Sequence, residues 1–151
     1  MSYSQRVAVL IALFVAVAIA VLSIAPIPQD PAYHQFADRR AFLGIPNFGD
    51  VASNLGFALV GALGLRSVFW RGGRDLFDAP SDSWPYLTLF AGIGLVGLGS
   101  AYYHASPDNA HLFWDRLPMT VAFMALLYAF LADRIGGVSE RFAWLFPALI
   151  A

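Results

Sequence analysis

The chain has 151 residues, of which 59% are hydrophobic, 15% aromatic and only 13% charged, and its mean hydropathy is +0.64. Such a composition lies outside the range of ordinary soluble domains and predicts an integral membrane protein. The net charge is −1 and every one of the nine cations is an arginine, which leaves no basic surface for nucleic acid and no lysine for a Schiff base; the absence of cysteine excludes disulfides, thiolate metal sites and thiol nucleophiles. A bound metal must then rely on His, Asp or Glu.

A helix needs about 20 apolar residues to cross roughly 30 Å of hydrocarbon. Four segments meet that requirement: residues 7–25, 51–70, 85–104 and 114–132. The first follows Arg6 and carries Ala18-Ile19-Ala20, which resembles a signal cleavage site, but its apolar run outlasts a signal sequence. Residues 1–25 are therefore expected to be a retained anchor. Residues 26–50 read as an outer loop, broken by Pro26, Pro28, Pro31 and Pro46, and residues 51–151 as the membrane core. Within that core "RGGRDLFDAPSDSWP" is a turn-rich connection in which Ser83 and Pro85 suit a helix start. A last apolar run, "RFAWLFPALIA", reaches only about 15 Å as a helix and reads as the start of a fifth span cut short.

The arginine distribution orients these spans. Arg6, Arg71, Arg74, Arg134 and Arg141 fall on one side; the other holds Arg39, Arg40 and Arg116, offset by Asp30, Asp38, Asp108 and Asp115. The positive-inside bias puts the N-terminus in the cytoplasm and the loops 26–50 and 105–113 on the periplasmic or lumenal face. Trp70, Trp84, Trp114 and Trp144 stand at span ends, as interfacial aromatics do.

"GIGLVG", Gly92 to Gly97, matches the dinucleotide-binding pattern G-x-G-x-x-G. That pattern works only at the turn of a strand–turn–helix unit, and these glycines sit in mid-span. They are expected to serve close helix packing, as are Gly56, Gly61 and Gly64.

The stretch "GSAYYHASPDNAHLFWDRLPM", Gly99 to Met119, places polar groups where lipid exposure costs roughly 2.5–3.5 kcal/mol each. Ser100 and His104 are one turn apart on one helix face. Ser106, Pro107 and Asp108 read as the restart of a helix, with Ser106 as its cap, and the returning span brings Asp115 to a depth near that of His104. By chemistry alone this trio can hold a metal, relay protons or pack by hydrogen bonding. Earlier, "YHQFADRR" and "GIPNFGDVASN" put His34, Asp38, Asn47, Asp50, Ser53 and Asn54 on the same side. Asn47 suits a helix cap, and Ser53 and Asn54 suit hydrogen bonds to neighbouring helices. Asp30 and Asp38 are candidate oxygen ligands for a hard cation, whereas His111 reads as a surface residue.

"NFGDVASNLGF" followed by "GSAYYHASPDNAHLFWDRLPM" resembles the alkaline ceramidase family, seven-span membrane amidases in a superfamily with the adiponectin-receptor-like proteins. The likeness covers residues 47–127, its most specific part being Ser-x3-His-x10-Asp and then Leu-Pro-Met: Ser100, His104 and Asp115, then Leu117, Pro118 and Met119. It implies an all-α polytopic transmembrane helix bundle, here as four complete spans and part of a fifth, with the leading span added to the family core. It also implies a zinc-dependent hydrolase that cleaves the amide of ceramide or a related N-acyl lipid, with His104 as a zinc ligand, Asp115 as acid and base, and Ser100 near the oxyanion. Asn47, Ser53 and Asn54 would support this site. The family's other two zinc ligands form a His-x3-His pair on its last span, so this chain alone does not complete the site. The family's acidic calcium stretch is not reproduced, which leaves Asp30 and Asp38 as the calcium candidates. The partner implied is a membrane lipid, with no nucleic acid and no protein partner indicated; the arginine-only cations and the additional leading span point to a bacterial inner membrane. The rival reading is a receptor-like or transport protein whose Ser-His-Asp cluster holds metal or protons without hydrolysis.

Overall fold

The structure, a computed structural model, describes residues 2–25, 27–70 and 75–135. The partial fifth span and Trp144 lie outside the described residues. Among the described residues five α-helices follow one another: α1 (Tyr3–Leu22), α2 (Phe48–Ser53), α3 (Leu55–Phe69), α4 (Trp84–Ala105) and α5 (Asn109–Ile135), with short 3-10 turns at Pro31–His34 and Pro80–Ser83. Together they provide four stretches long and apolar enough to cross a bilayer: Ser4–Leu22, Phe48–Phe69, Pro80–Ala105 and Asn109–Arg134. The molecule is an all-α, multi-pass membrane helix bundle.

Helix α1 begins with a reciprocal cap in which the Gln5 amide donates to Ser2 Oγ and the Ser2 amide to Gln5 Oε1. It is the most apolar of the four spans, and none of its apolar window is buried within the chain. In lipid such a helix satisfies its own backbone and needs no protein cover.

The second span is interrupted where the sequence predicts a continuous helix. At Asn54 the backbone amide bonds to Val51, three residues back, rather than to Asp50. The Asp50 carbonyl is taken instead by two side chains, Ser53 Oγ at 2.7 Å and Asn54 Nδ2 at 2.8 Å. Short polar side chains compete in this way with the helix ladder, and the result is the joint between α2 and α3. Ser53 and Asn54 thus bond back to Asp50 and not across to a neighbouring helix, which corrects the sequence expectation.

Helix α4 is the centre of the bundle, packed on α3 along one flank and on α5 along the other. Lipid supplies no hydrophobic drive for helices to associate, so close contact must, and small residues permit it. A Cβ on Gly61 would stand 2.5 Å from the Gly94 backbone, one on Gly97 2.7 Å from the Ala58 amide, and one on Gly92 3.0 Å from the Ala122 methyl. The "GIGLVG" glycines therefore divide between two helix contacts, Gly94 and Gly97 toward α3 and Gly92 toward α5, as expected for packing. The exposed Trp70, Trp84 and Trp114 end their spans on the outside of the bundle.

Candidate functional site

Two residues fix where α4 and α5 meet near the outer loops. Pro118 lies inside α5 and has no amide proton to give to the Trp114 carbonyl one turn earlier. Gly99 packs directly onto that carbonyl, where any Cβ would collide with it. Freed acceptor and bare α-carbon thus face each other, and the backbones approach as no side chain would allow.

This crossing positions the predicted trio. Ser100 follows Gly99 and is buried, as is Asp115, whose Cα lies just beyond the Gly99 contact. His104 is half-buried one turn above Ser100 on the same face. Because Gly99 meets Trp114 and Asp115 while Gly92 meets Ala122, the helices run antiparallel with Asp115 level with Ser100. It therefore lies about one turn, roughly 6 Å, deeper than His104, not at its depth as the sequence suggested. Helical side chains lean toward their own N-termini. His104, on α4 running toward the 106–108 connection, thus leans back toward Ser100, and Asp115, on α5 running away from that connection, leans toward His104. The Nδ1 of His104 is buried and has no hydrogen-bond partner among the described residues. Asp115 is flanked by the Arg116 guanidinium at 3.5 Å.

The helix restart differs from expectation. Ser106 closes α4, and the cap of α5 is Asp108, whose carboxylate accepts the His111 amide at 2.7 Å and contacts His111 Nδ1 at 2.7 Å. These two partners, the amide first, hold the Asp108 carboxyl below its ordinary range. His111 is occupied by that contact and stacks on Tyr102.

The outer loop supplies groups that the linear sequence left unplaced. His34 Nδ1 shares a hydrogen bond with the buried Tyr103 hydroxyl at 2.9 Å, and its Nε2 is buried without a partner among the described residues. Phe36 lies 4.5 Å from the His104 ring, centre to centre. Tyr103 is itself within electrostatic reach of Asp115 and Arg116. Asn47 stands at the start of α2 in a left-handed conformation, and its amide makes no cap; it crosses to the His104 carbonyl at 2.8 Å. Asp38 accepts the Gly49 amide at 2.7 Å and the Arg40 guanidinium at 2.6 Å, while Asp30 accepts the Ala32 amide at 2.7 Å. Both calcium candidates thus have partners within the loop itself. The only sequence signal for His34 and Phe36 was "YHQF", aromatic and imidazole residues in a loop otherwise built for turning.

Cavities flank the bundle at both ends. A groove of about 400 Å3, lined by Leu95, Leu98, Tyr102, Trp114, Leu117 and Val121, runs beside the Gly99 crossing and is almost wholly apolar. Another, of about 350 Å3, lies at the opposite end among Asp78, Asp82 and Asp133, with one oxygen of Asp82 buried and unpartnered among the described residues. It is remote from the trio. Among the described residues no group of three or more potential metal-binding side chains gathers, so His104 is the one predicted zinc ligand there. Compared with protein-family models, with curated proteins and with solved structures, the chain matches none.

Proposed function

We propose that the protein is a zinc-dependent membrane amidase acting on the N-acyl bond of ceramide or a related N-acyl lipid, with its site on the periplasmic or lumenal face of a bacterial inner membrane. The observation that carries the reading is the buried, unpartnered Nδ1 of His104 on the same face as Ser100, above a helix crossing that buries Asp115. An unpaired ring nitrogen in such surroundings is costly unless something binds it, and neutral imidazole is a common zinc ligand. His104 would contribute one ligand, and the donors completing the shell are not among the described residues. When bound, zinc supplies Lewis acidity toward the amide carbonyl and toward water.

The remaining chemistry belongs to this chain. The Asp115 carboxylate takes a proton from the attacking water and returns it to the leaving amine, which departs uncharged. The Ser100 hydroxyl donates a hydrogen bond to the carbonyl oxygen as it gains charge. Arg116 flanks the Asp115 carboxylate at 3.5 Å. The apolar groove beside Gly99 offers room for an acyl chain at the depth of the reacting groups.

The test is fatty-acid release from an N-acyl sphingoid lipid by protein purified from its full reading frame. Replacing Asp115 by Asn is expected to lower the rate about a hundredfold or more, and Ser100→Ala about a hundredfold. Release unchanged in both variants would overturn these roles. Stoichiometric zinc without release from any N-acyl lipid would favour a receptor-like or transport protein.

A further inference from the structure

Five contacts tie residues 29–36 across the outer end of the bundle. The Gln29 amide donates to Asn109 Oδ1 at 3.3 Å, the Arg116 guanidinium to the Tyr33 hydroxyl, His34 is joined to Tyr103 at 2.9 Å, and the Phe36 ring packs on both Tyr103 and His104. These contacts reach both helices of the crossing, α4 through Tyr103 and His104 and α5 through Asn109 and Arg116. Within the segment, Asp30 and the turn Pro31–His34 form a small folded unit, in which the Tyr33 amide donates to the Asp30 carbonyl and the Gln35 amide to the Ala32 carbonyl. The unit is therefore preformed, and its attachment depends on the Gln29 amide and on side-chain latches, of which His34–Tyr103 ends in an enclosed His34 ring nitrogen.

We propose that residues 29–36 are a lid on the aqueous route to His104, latched by His34 to Tyr103 and sealed by Phe36. The proposal goes beyond the hydrolase reading and holds equally if the trio only binds metal or protons. In the closed state Phe36 covers the imidazole, and the hydroxyl of Tyr103 is consumed by His34. Opening swings a folded unit away without unfolding any helix, because apart from the Gln29 amide, which donates to the Asn109 side chain, the segment's backbone bonds are internal and its contacts to the bundle are made by side chains. The polar partner admitted by opening comes from the water phase, since the lid lies at the loop end of α4 and not along its lipid-facing flank.

The absence of cysteine makes the test direct. A single cysteine at position 104, as His104→Cys, is labelled with a charged, membrane-impermeant thiol reagent in detergent-solubilised full-length protein in which any cysteine outside these 151 residues is replaced by serine. Ser106→Cys, exposed one half-turn away, serves as the reference. Labelling at position 104 is expected to be slow relative to position 106. It should accelerate about tenfold when Tyr103→Phe removes only the latch hydroxyl, the effect of losing one net hydrogen bond, and further with Phe36→Ala, while labelling at position 106 stays constant. Because the first substitution keeps the ring, the bundle's packing is preserved. Hydrogen exchange at the Tyr33 and Gln35 amides reports whether the unit stays folded when released. Equal labelling at 104 and 106 in the parent background, or no acceleration with either substitution, would overturn the lid; loss of fatty-acid release alone would bear only on the hydrolase proposal.

Discussion

Asp38 shows how one carboxylate organises the approach to the site. The Arg40 side chain, bonded at 2.6 Å, does most to hold its pKa down to about 2, and the amides of Arg40 and Gly49 add to that, while burial opposes them. Its folded value is depressed, so its stabilising contacts are complete above the ordinary carboxylate value near 4 and are lost as pH falls through about 2. Protection of the Gly49 amide, measured against an unstructured reference, is expected to hold from pH 7 down to about 4 and to vanish near pH 2. In Asp38→Asn it should be weak throughout that range. A second residue-scale prediction concerns Gly99, where one methyl group must collide with the Trp114 carbonyl. Gly99→Ala is expected to destabilise the bundle by about 1–3 kcal/mol, an overpacking cost, read from unfolding in mixed micelles; an unchanged midpoint would contradict the crossing. Sequence made Ser100 and His104 legible because four-residue spacing is local to one helix. It could not place Asn47 on the His104 carbonyl or His34 on Tyr103, since those bonds join residues 57 and 69 positions apart.

At the scale of elements, hydropathy located the spans because bilayer thickness dictates their length, and Gly61, Gly64, Gly92 and Gly97 read correctly as packing positions, whereas Gly56 did not: it is exposed, and a Cβ there would meet nothing within 4 Å. The joint at Asn54 escaped, because Ser and Asn are tolerated within helices and only their competition for the Asp50 carbonyl makes a break. The α5 cap was read two residues early: Ser106, Asp108 and Pro107 all suit a helix start, and the outcome depends on where α4 stops. Helix α1 carries its own prediction. With none of its apolar window buried, removal of residues 2–24 is expected to leave the unfolding midpoint of the α3–α4–α5 bundle unchanged in detergent. A clear loss of stability would show that α1 packs on the bundle.

At the scale of the whole molecule, α4 connects every part of the account. It carries the glycines that admit α3 and α5, two members of the trio, and the tyrosine to which the outer loop is tied. The fold was legible as a class, four apolar spans and their connections, because composition and length suffice for that. The trio was legible as a motif, but the relative depth of Asp115 and the packing of Phe36 on His104 were not, because they depend on helix register and on a loop without periodicity. Convergence of the trio on one metal-bearing point is the central claim, and the metal content of the purified full-length protein tests it most directly. The account predicts about one zinc per chain, lost in His104→Ala and retained in Ser100→Ala and Asp115→Asn, as expected for a catalytic site in which, of the trio, the imidazole alone is a ligand. Zinc retained undiminished in His104→Ala, or none in the parent protein, would contradict it.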